Sequence, residues 1–290
     1  MIFFPAGWKA LFRPALFCCT CPHAIDNSGG CRYTQRIGKN GVRSKDAAEV
    51  KGVGKYRMIK WIFFDLDGTL LPMDQDVFTR AYFKRLAAKL APHGYEPKSL
   101  IDGIWAGTAA MVKNDGSCTN EEAFWKKFSS IFGERVLRDK PVFEEYYRVE
   151  FQEVAAECGF NPKAKETVDA LKKEGYRIAL ATNPIFPAVA TESRIRWAGL
   201  EPGDFALYTT YENTGFCKPN PAYYRDLLDR LGCRAEESLM VGNDVEEDMV
   251  AASLGMQVFL LTDCLINKNN KDITGYAHGG FDDLLRFIRT

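Results

Sequence analysis

The chain has 290 residues, enough for one large domain or two modest ones. Its hydrophobic share of 46% and charged share of 26% are ordinary for a soluble globular protein. Its 38 basic and 38 acidic residues cancel, so net charge gives no reason to expect nucleic acid or an anionic membrane as a partner, and every apolar run is shorter than the ~20 residues of a membrane helix.

Residues 1–57 form the first segment, which lacks the pattern of a folded domain. They hold ten Lys or Arg and three Asp or Glu, a net charge of +7 against −7 for the rest of the chain. A signal peptide would begin with charge and continue as a clean apolar stretch, and that order is absent. We expect residues 1–57 to be a disordered or non-native extension, with Met58 as the natural start of the protein.

The chain has nine cysteines, an odd number without a repeating spacing, which predicts reduced thiols in a cytoplasmic protein. Cys18, Cys21, His23 and Cys31 lie close together in the first segment. Their spacing fits no familiar structural zinc site, so we expect no zinc there.

The first predicted element after the extension is Trp61–Phe64. These four apolar residues are typical of a strand buried on both faces of a parallel sheet. From about residue 76 to 155 the pattern changes, because aromatic and leucine side chains recur every four residues as on the buried face of a helix. Turn-forming residues at 92–94 and 114–117 interrupt it. We therefore predict an all-helical segment over residues 73–165.

After residue 162 helices and strands alternate. The predicted order is helix 164–174, strand Arg177–Ala181, helix Ala188–Trp197, strand Phe205–Thr209, helix 221–231, strand Leu239–Val241, a further helix, and strand Val258–Leu261. Such alternation predicts an α/β fold with a parallel sheet and right-handed crossovers. In these sheets the active site lies at the carboxyl ends of the strands, where the polar clusters of this sequence fall.

Asp65 and Asp67 directly follow the first predicted strand. Residues two apart in an extended segment project to the same side, so both carboxylates can converge on one point. Gly68 then lets the chain turn sharply. Two close carboxylates repel each other unless a cation or a proton neutralises them, and oxygen ligands of this kind suit Mg²⁺.

Four further side chains supply other parts that phosphoryl transfer requires. Thr182 can donate a hydroxyl and a backbone N–H to a phosphate oxygen, and Lys218 can bring a positive charge. Asp244 follows a strand and can complete a metal site, with Asp248 one helical turn further on the same face. A carboxylate is a competent nucleophile toward phosphorus, and a second carboxyl can act as acid and then as base.

These clusters resemble the motifs of the haloacid dehalogenase-like (HAD) hydrolase superfamily, in its phosphoglycolate phosphatase-like form. The four matches, in the family's order, are Phe63–Leu70, Ala181–Asn183, Cys217–Pro219 and Val241–Asp248. The resemblance covers the chain from about residue 59 to the C-terminus. It implies a Rossmann-like, three-layer catalytic core made of residues 58–72 and 166–290, with residues 73–165 inserted as a helical cap over the site.

The resemblance also implies a role for each site residue. Asp65 would be the nucleophile and a Mg²⁺ ligand, and Asp67 would be the general acid/base and bind Mg²⁺ through its backbone carbonyl. Thr182, Asn183 and Lys218 would bind phosphate. Asp244 would be a metal ligand, and Asp248 a supporting carboxylate. One departure is Asn243, because the family more often has glycine immediately before the metal-binding aspartate. It leaves open how Asp244 and Asp248 share the metal.

The sequence therefore predicts a Mg²⁺-dependent phosphatase that hydrolyses a small phosphorylated metabolite through an aspartyl-phosphate on Asp65. A phosphotransferase or phosphomutase with the same intermediate stays open, as does a catalytically silent binding protein on this fold. A dehalogenase is disfavoured, since dehalogenating members lack the second aspartate, here Asp67. Four weaker candidates for substrate contact lie in the helical segment: Arg80, Trp105, Lys113 and Asn114.

Overall fold

The computed structural model describes residues 59–290. The predictions for residues 1–57, for their cysteines and for Met58 lie outside this range. At its centre is a parallel sheet with the strand order β2-β1-β3-β4-β5. Its strands are β1 (Trp61–Phe64), β2 (Arg177–Leu180), β3 (Ser238–Gly242), β4 (Gln257–Leu261) and β5 (Ala277–Gly279). The predicted α/β fold with a parallel sheet is confirmed.

The described residues also form eight α-helices and several shorter 3₁₀ helices. The α-helices are α1 (Gln75–Leu90), α2 (Pro97–Val112), α3 (Asn120–Phe132), α4 (Arg135–Arg148), α5 (Pro162–Lys173), α6 (Ala188–Trp197), α7 (Pro221–Leu231) and α8 (Phe281–Arg289). The 3₁₀ helices are Ala91–His93, Glu150–Glu157, Pro202–Asp204, Ala235–Glu237 and Met249–Leu254. Among the described residues, no helix is long and apolar enough to cross a membrane.

The sheet is covered by helices on both faces. Ile62 and Phe64 of β1 pack on one side with residues of α5, α6 and α8. Trp61 and Phe63 point to the other side and pack with residues of α7 and the 3₁₀ helix Met249–Leu254. Because both faces of β1 are buried, its side chains are apolar without alternation. This arrangement is the expected three-layer core.

Helices α1 to α4 and the 3₁₀ helix Glu150–Glu157 follow one another between β1 and β2 in the chain. Their ends are specified locally: Asp74 accepts hydrogen bonds from the first backbone N–H groups of α1, and Thr119 with Glu122 forms a capping box at α3. Their aromatic side chains pack into a hydrophobic cluster that also includes Ala190 of α6 and Cys217. The predicted boundary at residue 165 falls inside α5, whose Ala164 already packs against the sheet.

Three local predictions differ from the structure. Residues 206–209 lie alongside β2, since the N–H groups of Ala206 and Thr209 donate to the carbonyls of Ile178 and Leu180 (2.8 and 3.2 Å) and the N–H of Leu180 donates to the carbonyl of Leu207 (2.8 Å). The predicted strand Phe205–Thr209 is nevertheless reduced to an isolated bridge at Tyr208. The helix predicted between the strands Leu239–Val241 and Val258–Leu261 is the short 3₁₀ helix Met249–Leu254. The four-residue spacing of Phe143, Tyr147 and Phe151 does not lie on one α-helix, since α4 ends at Arg148 and Phe151 belongs to the next 3₁₀ helix.

Candidate functional site

Asp65 lies at the carboxyl end of β1, in the middle of the sheet. Its backbone N–H donates to the carbonyl of Val241 on β3 (2.9 Å), so the chain is still held as a strand there. Its side chain is 7% exposed. One carboxylate oxygen, Oδ1, accepts from Lys218 Nζ at 2.8 Å, and Oδ2 lies 3.1 Å from the hydroxyl of Thr69. Asp65 is therefore a buried carboxylate with a fixed orientation.

Lys218 reaches this carboxylate from the loop before α7. It is 1% exposed, and its ammonium group also donates to Asp248 Oδ1 at 2.7 Å. Burial by itself would lower the pKa of Lys218, but the carboxylates of Asp248 and Asp65 outweigh burial and raise that pKa well above its ordinary value. Lys218 is thus a permanent buried cation between two carboxylates that are far apart in the sequence.

Asp67 lies two residues after Asp65, beyond the end of β1, and is half-buried. Gly68 after it has a φ of +87°, a conformation that favours glycine and that provides the sharp turn expected from the sequence. Asp67 Oδ2 accepts a hydrogen bond from Arg194 Nη1. Its Oδ1 is buried and has no hydrogen-bond partner among residues 59–290. Burial raises the pKa of Asp67, and the neighbouring Arg194 opposes that rise.

Asn243, the departure from the family pattern, links three segments of the site. Its Oδ1 lies 3.0 Å from the hydroxyl of Thr69, and its Nδ2 donates to the carbonyl of Cys264 at 2.7 Å. A Cβ on Gly68 would lie 2.3 Å from Asn243 Nδ2, so these two positions fit each other closely. Asn243 therefore fixes the turn that carries Asp67 and leaves Asp244 in place after β3.

Asp244 and Asp248 are arranged differently. Asp244 Oδ1 accepts from the backbone N–H groups of Glu246 and Glu247 (2.7 and 2.9 Å). Both oxygens of Asp248 are engaged, Oδ1 with Lys218 and Oδ2 with the N–H of Asp244 at 2.9 Å, and its side chain is 1% exposed. Burial raises the pKa of Asp248 to about 7, against the opposing charge of Lys218. Asp248 is the more completely enclosed of the two.

Thr182 and Asn183 follow the end of β2, next to the end of β1. The N–H of Ala181 donates to the carbonyl of Phe64 at 2.7 Å, which brings the two strand ends together. Thr182 is 2% exposed, and its carbonyl accepts from two side-chain hydroxyls at 2.6 and 2.8 Å. Asn183 donates to Glu247 Oε2 at 3.1 Å, while its own Oδ1 is buried without a partner among the described residues.

The predicted site residues therefore meet at one edge of the sheet, and acidic groups are in excess there. Five carboxyl groups face two cations, the acids being Asp65, Asp67, Asp244, Glu247 and Asp248 and the cations Lys218 and Arg194. Burial, and to a smaller extent the nearby carboxylate of Asp244, raises the pKa of Glu247 to about 8. Hard oxygen donors with surplus negative charge fit a divalent cation such as Mg²⁺.

Residues 59–290 contain no group of three or more His, Cys, Asp or Glu side chains arranged to hold a metal ion. The ligand set implied by the family resemblance would need only two side chains, Asp65 and Asp244, with the backbone carbonyl of Asp67 as the third ligand.

Sequence reasoning missed two residues of this site. Arg194 on α6 is 1% exposed and contacts Asp67 across 127 residues of sequence. Glu247 joins the fourth motif to Asn183 of the second. A buried arginine in a helix gives no sequence signal of its own, because Arg194 and the exposed Arg196 two residues later look alike in the sequence.

The four weaker candidates for substrate contact have structural surroundings of their own. Asn114 is buried and donates to Asn120 Oδ1 and to the carbonyl of Cys118, both at 2.9 Å. Trp105 packs edge-on against Phe83, with ring centroids 5.2 Å apart. The side chains of Arg80 and Lys113 are exposed. None of these contacts joins them to the carboxylates at the sheet edge.

Comparison with known proteins agrees with the motifs. Residues 59–255 match the family model of the haloacid dehalogenase-like hydrolases. A glyceraldehyde 3-phosphate phosphatase from Methanothermobacter thermautotrophicus is 27% identical over 229 residues, which cover 75% of this chain and 95% of that protein. A phosphoglycolate phosphatase from Pectobacterium atrosepticum is 30% identical over 204 residues, 68% of this chain and 80% of that protein. The expected likeness to phosphoglycolate phosphatases is confirmed.

The fold is likewise shared with solved structures. The crystal structure of a 2-haloacid dehalogenase from Pseudomonas syringae pv. Tomato DC3000 aligns with a TM-score of 0.53 at 20% identity, over 79% of this chain and 100% of that one. At this identity the likeness concerns the fold alone. The family model covers more than half of the chain and includes all four motifs. The chain therefore belongs to the haloacid dehalogenase-like hydrolase family.

Proposed function

We propose that this hydrolase is a Mg²⁺-dependent phosphatase that cleaves a small phosphomonoester, with Asp65 as nucleophile and Asp67 as general acid/base. The observation that carries the proposal is the pair of carboxylates at the end of β1. Asp65 is oriented by Lys218 and Thr69, and Asp67 beside it keeps one oxygen without a partner among the described residues. A nucleophile and a separate proton carrier are the two groups that a two-step phosphoryl transfer needs.

The substrate's phosphate would be held by groups from two neighbouring loops. Lys218 supplies a buried positive charge next to the nucleophile. Thr182 and Asn183 stand at the end of the adjacent strand, where a hydroxyl, an amide and backbone N–H groups can donate to phosphate oxygens. In this proposal the same donors also align phosphorus for attack by Asp65.

The reaction has two displacements. In the first, an oxygen of Asp65 bonds to phosphorus while the bond to the leaving oxygen breaks, and Asp67 gives that oxygen its proton. In the second, Asp67 takes a proton from water as the water oxygen bonds to phosphorus and the bond to Asp65 breaks. Phosphate leaves, and both carboxyl groups return to their starting states.

The residues of this chain also suggest which groups would be the metal ligands. Asp65, the Asp67 carbonyl and Asp244 are the ligands that we propose, and the enclosed Asp248 acts as a support that positions Lys218 and the Asp244 backbone. When bound, Mg²⁺ neutralises charge on the phosphate oxygens. The surplus of carboxyl groups over cations supports this assignment.

Helices α1 to α4 and the following 3₁₀ helix are proposed to be the cap, with limits near residues 73 and 165. Their aromatic cluster, which reaches Ala190 and Cys217 near the sheet edge, supports a unit that closes over the site and limits access of water. Two relatives are named for glyceraldehyde 3-phosphate and phosphoglycolate, which supports a small phosphorylated metabolite as substrate. The five described cysteines are free thiols, which supports a cytoplasmic location.

The test is phosphate release from a panel of small phosphomonoesters that includes these two compounds, with and without Mg²⁺. We expect Mg²⁺-dependent release by the wild type and a loss of at least about 1,000-fold in Asp65→Asn, because the nucleophile is gone while the shape is kept. Asp229→Asn, an exposed position on α7, is the matched control and should behave as the wild type.

Other results would contradict the proposal. Equal rates of phosphate release for wild type and Asp65→Asn would show that Asp65 is not the nucleophile. A folded wild type that releases no phosphate from any ester but converts one phosphorylated sugar into another would identify a phosphomutase. A protein that binds phosphate esters without turnover would be a binding protein on this fold.

A further inference from the structure

Arg194 is a buried cation that has no role in the reaction proposed above. It lies on α6 and is 1% exposed. Arginine is almost never buried to this extent unless it is paired. Its charged partner is Asp67, whose carboxylate is 22% exposed. The contact joins the helix after the second motif to the general acid/base of the first.

The guanidinium group is held independently of Asp67. Its Nε donates to the carbonyl of Ala190 at 3.3 Å, and its Nη2 donates to the hydroxyl of Thr191 at 3.4 Å. Its central carbon lies 4.5 Å from the centre of the Phe186 ring. Two of these contacts come from α6 and the third from the loop that precedes it. Arg194 therefore presents Nη1 to Asp67 from a position fixed by its own helix.

Asp67 meets this donor with only one of its oxygens. Oδ2 accepts from Arg194 Nη1, while Oδ1 is buried without a hydrogen-bond partner among residues 59–290. A carboxylate that is ionised accepts through both oxygens, and a protonated one still accepts through its carbonyl oxygen. The contact with Arg194 can therefore persist whether Oδ1 carries a proton or not.

We propose that Arg194 is a positioning residue that holds Asp67 by Oδ2, so that Oδ1 is the oxygen that exchanges the proton. This inference rests on the proposed function. In the first displacement the proton on Oδ1 passes to the leaving oxygen as that oxygen separates from phosphorus. In the second, Oδ1 accepts a proton from the attacking water. Arg194 itself gains and loses no proton, because a guanidinium group stays charged.

A purely structural ion pair would have different consequences. If Arg194 only attached α6 to the turn after β1, its removal would lower stability and reduce the rates of all substrates alike. If it positions the proton carrier, its removal should slow the first displacement mainly for those esters whose leaving group needs a proton, while the second displacement slows equally for all. Alkyl phosphates need one, whereas the p-nitrophenolate of p-nitrophenyl phosphate leaves without it.

The experiment measures kcat/KM on p-nitrophenyl phosphate and on the most active alkyl phosphate of the panel, because kcat/KM covers the steps up to departure of the leaving group and excludes the second displacement, which both esters share. For Arg194→Met we expect kcat/KM on the alkyl ester to fall by about 100-fold or more, the usual size of general acid catalysis, and kcat/KM on the aryl ester to fall by less than about 10-fold. Asp67→Asn should show the same pattern. Adding Arg194→Met to Asp67→Asn should change neither rate further, because the two residues act as one unit.

Two further variants keep the test decisive. Arg196→Met changes an exposed arginine on the same helix and should leave both rates unchanged. Arg194→Lys keeps the charge if the methionine variant does not fold, and a single flexible ammonium cannot replace the fixed fork. It should still slow the alkyl ester more than the aryl ester.

The outcomes separate this inference from the function on which it rests. If Asp67→Asn discriminates between the two esters and the Arg194 variants do not, the positioning role is wrong and the phosphatase stands. If Asp67→Asn itself shows no discrimination, the acid/base assignment fails and the inference fails with it.

Discussion

The helical region between β1 and β2 and the carboxyl edge of the sheet are both buried, but for opposite physical reasons. The helical region gathers aromatic rings that pack edge to face, such as Trp125 and Phe128 on Phe143 with interplanar angles of 88° and 89°. Burial of this apolar area lowers the free energy of the folded state. The sheet edge gathers carboxyl groups around Lys218 instead, and burial of charge is unfavourable unless it is paired.

From this difference we expect the aromatic cluster to determine mainly stability and the sheet edge to determine mainly activity. Changes in the aromatic cluster should lower stability and leave the chemistry of each folded molecule intact. Changes at the sheet edge should alter the chemistry first. Four substitutions test how far that separation holds.

Lys218→Met should have the largest effect. It leaves the carboxylates of Asp65 and Asp248 buried without their shared cation, and breaking a buried pair costs about 3–5 kcal/mol. Phosphate binding should be lost as well, so this substitution should lower both stability and activity. Urea unfolding measures the stability, and phosphate release measures the activity. The exposed Lys173→Met on α5 is the control, and a stable but inactive Lys218→Met would show that the charge cluster contributes little to stability.

Phe128→Ala should destabilise by about 3–5 kcal/mol, because a fully buried ring leaves a cavity among its aromatic neighbours. Below the unfolding transition, kcat should stay within about threefold of the wild type, because the ring contacts of Phe128 are with aromatic residues of the helical region. Ile131→Ala on the same helix, where the side chain is 45% exposed, is the matched control. A large fall in kcat for folded Phe128→Ala would contradict the separation.

Gly242→Ala should act at the sheet edge with a smaller effect on stability. A Cβ at this position would lie 2.1 Å from Asp248 Oδ2, so the Asp248 carboxylate, which holds Lys218 and the Asp244 N–H, must shift. Overpacking of this kind costs about 1–3 kcal/mol, and phosphate release should fall more than stability. Gly203→Ala, which would meet no atom within 4 Å, is the control. Wild-type rates in Gly242→Ala would mean that the position of Asp248 is not critical.

Asn120→Ala tests the connection between the two regions, because Asn120 joins them by hydrogen bonds. At the start of α3 its Nδ2 donates to the carbonyls of Pro184 and Phe216 (3.2 and 3.3 Å), in the loops after β2 and before Lys218. Loss of these buried bonds should cost about 1–2 kcal/mol. We expect KM to rise more than kcat falls, because the helical region is less firmly attached. The exposed Lys126→Ala should change neither, and an unchanged KM in Asn120→Ala would contradict this role.

Local sequence signals predicted much of the fold because their causes are local. The helices predicted at Ala188–Trp197 and 221–231 have the observed limits, since the second begins after a capping asparagine with Pro221 in its first turn and ends at Gly232. The strand predicted at Phe205–Thr209 is reduced to a bridge at Tyr208, although residues 206–209 make backbone hydrogen bonds with β2. Strand β5 and helix α8 were not predicted, although Phe281, Leu284 and Ile288 of α8 have the spacing of one buried helix face.

The sequence by itself determined the alternation of strands and helices, and with it the edge at which Asp65, Thr182 and Asp244 must gather, because parallel strands place their carboxyl ends together. It could not determine which cations meet which carboxylates. Lys218 lies between Asp65 and Asp248, and Arg194 holds Asp67, only because the chain packs α6 and the loop before α7 against the end of β1. Those contacts span 30 to 153 residues, and no local pattern of residues encodes a distance of that kind.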